Sequence, residues 1–331
     1  MKSESLEKCT SLKVVFHRHY RGFTGGHLKV LDYFHHVRAS PGHHPAIYFT
    51  RNSDLTAGHP WSAFPETHLE KWEPEKADIL FLAGNDWASL SPTFRQAGII
   101  PVINLIQGLR HTDPKLPLYQ YLAHPAIRIF VSQETADAVR STGIVNGPSF
   151  TIPNGIHLAS IRSFHKTRET RDIELLILGT KNPDLAKTIT AFCRDQQIGV
   201  TCVDQKIPRK ELLQLIGNSV SMVCLPFEKE GFYLPGLEAM ALETLVICPK
   251  FRGNKTLYQD GINCLSPDYH VVAILEAIKK SRQLTAINPN PILVNAAKIS
   301  QEYDLEREKA AFLDILENAF KLWAHRSASN Q

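Results

Sequence analysis

Short apolar, β-branched runs alternate with amphipathic stretches along the chain. Lys13-Val14-Val15-Phe16 predicts a first strand, and Leu28, Leu31, Phe34 and Val37 predict a helix after it. Further strands are expected over Ala46 to Phe49, Ile79 to Leu82, Ile100 to Leu105, Ile127 to Val131 and Ser149 to Ile152. Ser132 is placed to cap a helix, because Ser132-Gln133-Glu134-Thr135 is close to a capping box with apolar Ala136 and Val139 behind it.

From Pro153 to Asp172 the pattern turns polar, basic and irregular, as a linker does. Alternation then restarts with Glu174 to Leu178, Val200 to Val203, Val220 to Leu225 and Leu245 to Cys248. Strands separated by helical patterns imply parallel sheets covered by helices on both faces. The fold class expected is therefore α/β, with two Rossmann-like, doubly wound parallel-sheet domains facing a central cleft. The domains expected are residues 1–160 and 161–303. Residues 304–331 read as a C-terminal helix packing back on the first domain, with Leu305, Phe312, Leu313, Leu316, Phe320 and Trp323 on one stripe. Such sheets bind ligands outside the carboxyl ends of their strands, so the cleft is the expected site.

Composition narrows the class. The 331 residues are 43% apolar and 21% charged, which excludes a disordered or low-complexity chain. The richest apolar run, Ala97 to Ile106, is broken by Gly98, Pro101 and Asn104, so no membrane-spanning helix is expected. The first eight residues are polar and lack a secretory apolar segment. The six cysteines form no CxxC pair, and Cys202, Cys224 and Cys248 sit in apolar runs as small hydrophobes. A reducing cytoplasm is the expected location. A net charge of +4 suits an anionic ligand and at most peripheral membrane contact, and no nucleic-acid-binding pattern is present.

The chemistry concentrates between Pro226 and Ala241, in Pro-Phe-Glu-Lys-Glu-Gly-Phe-Tyr-Leu-Pro-Gly-Leu-Glu-Ala-Met-Ala. A strand ends at Leu225, a Gly-containing loop follows, and Pro235 suits the first turn of a helix. Glu238 is expected in that first turn and Glu230 in the loop before it. Two carboxylates beside free N–H groups suit a nucleotide-sugar, with amides for phosphate or sugar oxygens and carboxylates for hydroxyls. Taken alone, the same residues read equally as a carboxylate favoured by the helix dipole and a solvated one.

This stretch resembles the donor-binding motif of the retaining glycosyltransferases of family four (glycosyl transferases group 1), Glu-Gly-Phe-Gly-Leu-Pro-x-Leu-Glu-Ala-Met-Ala. Glu230 and Glu238 keep its spacing. Phe130-Val131-Ser132-Gln133-Glu134-Thr135 resembles the family's Val-Ser-x-x-Thr strand end. Ile152-Pro153-Asn154-Gly155-Ile156 resembles its Ile-Pro-Asn-Gly-Val-Asp crossover, with His157 replacing the Asp. Asp260-Gly261-Ile262-Asn263-Cys264-Leu265 resembles its Asp-Gly-x-Asn-Gly-Leu turn, and Gly25-Gly26-His27 its paired glycines.

The resemblance implies the GT-B fold and a metal-independent transfer, with retention, from a nucleoside diphosphate sugar to an acceptor. That acceptor is a glycan, a lipid-linked molecule or a small molecule, and no cofactor is needed beyond the donor. It gives Glu238 the ribose and Glu230 the donor sugar. Gly231 and the amides around Phe232, Tyr233 and Leu234 would hold sugar or phosphate oxygens. Gly25 and Gly26 would let backbone approach the diphosphate, the alternative being an ordinary tight turn. Lys181 and Lys187, six apart beyond Gly179, stand for the family's Arg–Lys pair, offset by one residue; Lys187 reads equally as a solvated helix lysine.

Several positions depart from the family. Gln107 stands where many members carry a His, with His111 as a substitute nearby. Tyr233 replaces a glycine and should reshape the sugar pocket. Glu243 and Leu245 replace a Gly and a Pro, and Thr256 stands at a frequently acidic position. Histidines including His17, His19, His35, His36, His43, His44, His59 and His68 crowd the first half, but no metal-ligand spacing supports a metal, and they read as cleft or surface residues. Arg18, Arg21, Arg38, Arg51 and Arg110 are cations for an anionic or polar acceptor, and the stretch from Arg51 through Trp61 to Trp72 reads as an acceptor-side loop with exposed aromatics. Gln107, Thr180 and Glu243 favour the alternative of a catalytically silent nucleotide-sugar binding partner of another transferase.

Overall fold

A computed structural model describes residues 11–56, 59–253, 255–287 and 289–325. Cys9, the polar first eight residues and the end of the 304–331 segment lie outside them. The chain divides into two compact units. One holds the chain through Val131, then Ala136–Ile152 and the residues from Lys309 on. The other holds Ser132–Thr135 and Pro153–Glu308.

The first unit is built on seven strands: β1 (Leu12–Arg18), β2 (His43–Phe49), β3 (His68–Leu69), β4 (Ile79–Ala83), β5 (Val102–Ile106), β6 (Ile127–Phe130) and β7 (Ser149–Thr151). Their order is β3-β2-β1-β4-β5-β6-β7, with every neighbouring pair parallel. The expected runs became strands because a parallel sheet is covered on both faces and reads as continuous apolar sequence. Phe16 and Phe81, on neighbouring β1 and β4, stack with centroids 4.7 Å apart in the core. Only the two-residue edge strand β3 escaped the pattern.

This unit carries α1 (Gly25–Arg38), α2 (Pro92–Ala97), α3 (Pro117–Gln120) and, from Ala136 on, α4 (Gln133–Arg140). The buried face of α1 is Lys29, Val30, Tyr33, Phe34, His36 and Val37. Leu28 and Leu31, expected on that face, are only half-buried, because a strict spacing of three drifts off a 3.6-residue stripe. Ser132 caps α4 as expected, its Oγ accepting from the Thr135 N–H at 3.1 Å.

The second unit carries β8 (Ile173–Leu178), β9 (Val200–Val203), β10 (Ser219–Cys224) and β11 (Leu245–Ile247), parallel in the order β11-β10-β8-β9. Around them lie α5 (Leu158–Arg162), α6 (Pro183–Asp195), α7 (Arg209–Gly217), α8 (Leu234–Ala241), α9 (Val271–Leu284) and α10 (Pro291–Glu302). The core joins Leu175 and Ile177 of β8 to Val223, Ile247, Ile189 and Ile274. The chain enters this unit at Pro153, before the expected boundary near 160. The reason is local: Ile156 donates its N–H to Tyr303 O at 2.8 Å and accepts from Leu305 N at 3.0 Å.

The expected terminal helix is two helices, α11 (Leu305–Glu317) and α12 (Ala319–His325). At the break, Asn318 turns its side-chain amide back onto Asp314 O at 2.9 Å. The buried stripe is Phe312, Ile315, Leu316, Ala319 and Trp323, while Phe320, expected on it, is exposed. Phe312 meets Tyr33 edge-on at 4.8 Å, and Trp323 donates to Gly98 O at 3.2 Å.

Candidate functional site

In the second sheet the strand order reverses between β8 and β10, and such a switch point opens a crevice at the carboxyl ends of the strands. Lys181 follows β8 and Glu230 follows β10, so topology brings them to the two sides of this crevice. They form an ion pair between Lys181 Nζ and Glu230 Oε2. Lys181 also lies over the rings of Phe227 and Tyr233, at 5.4 and 5.2 Å from their centroids. The lysine is thus held by one carboxylate and two aromatic faces while keeping partial exposure.

The loop bearing Glu230 is shaped from beneath. Glu230 N bonds back to Phe227 O at 3.0 Å. A Cβ at Gly253 would lie 1.6 Å from Glu230 O, so only glycine permits that approach of backbone to backbone. The single Ser132 Oγ–H is shared between Gly231 O at 3.1 Å and Gly253 O at 2.6 Å, tying this loop to the segment after β11. Phe232, Tyr233 and Leu234 are buried. Tyr233 does not project into open space: its ring is packed near Cys224 and Cys248, burial pushes its phenol up, and it serves as the floor under Lys181. Tyr258 Oη donates to Tyr233 O at 2.6 Å and pins the start of α8.

Pro235 occupies the first turn of α8 as expected, and the amides of Leu234 and Gly236 there have no intrahelical acceptor. Glu238 lies one turn further in, not in the first turn, so the reading of it as a dipole-favoured residue fails. It is fully buried, and no hydrogen-bond donor of the described residues reaches either carboxylate oxygen. Arg209, the first residue of α7, approaches Oε1 to 2.5 Å as an ion pair out of hydrogen-bond alignment.

Lys187 is not brought to this group. It is exposed on α6 and lines a separate cavity of about 340 Å³ with Thr190, Arg194, Cys202 and Asp204. Thr256, at the frequently acidic position, donates N–H and Oγ to Glu134 Oε1 at 2.7 and 2.6 Å. Cys224 and Cys248 are buried as expected, whereas Cys202 is only half-buried. Glu243 takes φ of 56°, the left-handed conformation that the family's glycine suits.

In the first unit the order reverses between β1 and β4. Gly25 opens α1, capped by Thr24, and Gln107 donates to Gly26 O at 3.3 Å, so the glycines and Gln107 meet. His111 does not join them. It is buried, its Nδ1 bonds Gly108 O at 3.0 Å, and burial lowers its pKa to about 4. The carbonyl can only accept, so His111 is neutral with the proton on Nδ1.

Asp86, which sequence reading missed, organises the same end of this sheet. It accepts from Arg18 Nη1 at 2.7 Å and from Ala83 N at 3.0 Å, and it meets His17 Nδ1 at 3.3 Å. Arg18 also contacts His27 Nδ1 at 3.2 Å. Of the histidines read as cleft or surface residues, His17, His36 and His43 are buried. Trp61, read as exposed, is fully buried against Tyr20 and Phe49. Among the described residues, no group of three His, Cys, Asp or Glu side chains is placed to hold a metal, and no helix is long and apolar enough to cross a membrane.

Residues 154–282 match the family model of the glycosyl transferases group 1. No curated protein matches the chain in sequence. Among solved structures, sucrose-phosphate synthase of Thermosynechococcus elongatus aligns with TM-score 0.71 at 13% identity, over 94% of this chain and 99% of that one. A glycosyltransferase of Rickettsia africae aligns with TM-score 0.70 at 11% identity, over 94% and 99% of the two chains. Anabaena HepE, solved in complex with UDP-glucose, aligns with TM-score 0.67 at 14% identity, over 93% and 100%. At these identities the structural likeness speaks for the fold, which is GT-B as expected. The family match, covering the segment that bears Lys181, Arg209, Glu230 and Glu238, identifies a glycosyltransferase group 1 domain.

Proposed function

We propose that the protein is a retaining glycosyltransferase that moves a sugar from a nucleoside diphosphate donor to a glycan, lipid-linked or small-molecule acceptor. The observation that carries this reading is Glu238, a buried carboxylate whose ion-pair partner Arg209 is out of hydrogen-bond alignment, on the helix that follows the Glu230 loop. Buried polar groups are ordinarily satisfied, and the two ribose hydroxyls are suitable missing donors. UDP-glucose bound to the structurally similar HepE supports a nucleotide-sugar as donor.

In this scheme the diphosphate lies near Lys181 and the first-turn amides of α8, and the donor sugar near Glu230. The acceptor hydroxyl attacks the anomeric carbon from the face the diphosphate leaves. The new C–O bond forms as the bond to the diphosphate oxygen breaks, and the acceptor proton passes to the leaving diphosphate. Charge growing on that diphosphate is stabilised by Lys181 and the amides, preorganised groups of the kind that contribute most to such rates. Lys181 and these amides take the place of a bridging divalent ion, so turnover should persist in a chelator.

Glu230→Ala and Glu238→Ala are the test. Each is expected to lose transfer by a hundredfold or more, about 3 kcal/mol of transition-state stabilisation, while circular dichroism stays that of the parent. Full activity in both, or loss of fold in both, would overturn the assignment.

A further inference from the structure

The corner around Glu238 carries a cation whose position local helix energetics do not explain. Arg209 opens the nine-residue helix α7, where the macrodipole disfavours positive charge. Its guanidinium nevertheless stands 2.5 Å from Glu238 Oε1, with the arginine side chain 29% exposed and the glutamate side chain 1% exposed. A buried carboxylate is costly without a counter-charge, and Arg209 is the cation the structure sets against it. The N–H groups of Arg209 are out of line for a hydrogen bond, so its contact with Oε1 is that of an ion pair.

We infer that Arg209 is a positioning residue that sets a counter-charge against Glu238 and aims it, so that its oxygens accept from the 2′- and 3′-hydroxyls of a ribonucleoside diphosphate. Arg209 reaches solvent, so a small swing of one flexible side chain opens the carboxylate to the ligand. The inference rests on the ribose reading of Glu238 and adds to it the source of the ribo-over-deoxy preference.

The test is calorimetric titration of UDP, GDP and ADP, each with its 2′,3′-dideoxy counterpart, into the parent chain, Arg209→Met, Arg209→Lys and Glu238→Gln. For whichever nucleotide binds the parent, Arg209→Met should weaken the ribonucleotide about tenfold or more, as loss of one partner of a buried charge pair does. The dideoxy form should change little, and Arg209→Lys should recover most of the loss. Equal weakening of both forms would make Arg209 merely structural and overturn the inference. Tighter ribonucleotide binding by Arg209→Met would make it an obstructing cover and overturn it as well. Glu238→Gln separates the two layers: if it keeps the full ribo-over-deoxy preference, the ribose reading itself fails, whatever Arg209 does. No binding of any nucleotide by the parent would refute both.

Discussion

His111 shows how a single side chain can be read correctly by type and wrongly by role. A histidine close to Gln107 invites a sugar contact, yet this one is sealed inside the first unit, bonded to Gly108 O, with the buried Arg128 guanidinium adding to the lowering of its pKa. Its pKa of about 4 in the folded chain lies below the ordinary 6.5. Between these values the unfolded chain binds more protons, so stability rises with pH across the window. The contribution, about 3 kcal/mol, is present above pH 6.5 and lost as pH falls through 4. Urea unfolding of the parent should therefore weaken from pH 7 to pH 4.5 more steeply than that of His111→Gln; equal slopes would remove His111 as the cause. Arg209 and Asp86 were illegible for a related reason. Their meaning lies in partners far along the chain, Asp86 being 68 residues from Arg18, and no periodicity encodes such a pairing. The one local signal was Arg209 itself, a cation at a helix start after Pro208.

At the scale of elements, strands were readable because burial on both faces writes itself as unbroken apolar runs. Helix faces were less so: of the stripe expected on α1 only Phe34 and Val37 are buried, and Asn318 cut the terminal helix where the apolar spacing alone ran on. The Glu230 loop was legible from its motif, but not what supports it. That support is Gly253, in the segment after β11, whose backbone abuts Glu230 and Gly231. Gly253→Ala places a methyl 1.6 Å from Glu230 O, and backbone cannot step aside as a flexible side chain does. Overpacking of this kind costs about 1–3 kcal/mol. The expected result is a lower urea midpoint together with a loss of transfer larger than the loss of folded protein, because the loop that presents Glu230 to Lys181 must move. A variant with parent stability and parent activity would show that this approach shapes nothing.

For the whole molecule, two doubly wound sheets each reverse strand order once, and each reversal collects charged groups at the carboxyl ends of its strands: Lys181 and Glu230 in one unit, Arg18 and Asp86 in the other. The alternation of strands and helices made both sheets visible in the sequence; which cations faced which carboxylates was not, and Lys187 shows the cost of guessing it from spacing. If the second unit binds the donor, ligand and fold are linked there. A nucleoside diphosphate sugar at a hundred times its Kd adds about 2.7 kcal/mol, about 5–11 °C in the Tm of a domain of that size. UDP-, GDP-, ADP- and dTDP-sugars should accordingly divide into one class that raises the melting temperature and others that do not. On the proposed reading, in which Lys181 and the α8 amides are set against the diphosphate, the shift should survive EDTA. It should shrink in Glu238→Gln, where the ribose loses its charged acceptor. An undiminished shift in Glu238→Gln and Glu230→Gln alike would put the donor elsewhere on the protein, while a shift abolished by EDTA would assign the diphosphate charge to a metal and leave Lys181 to another task.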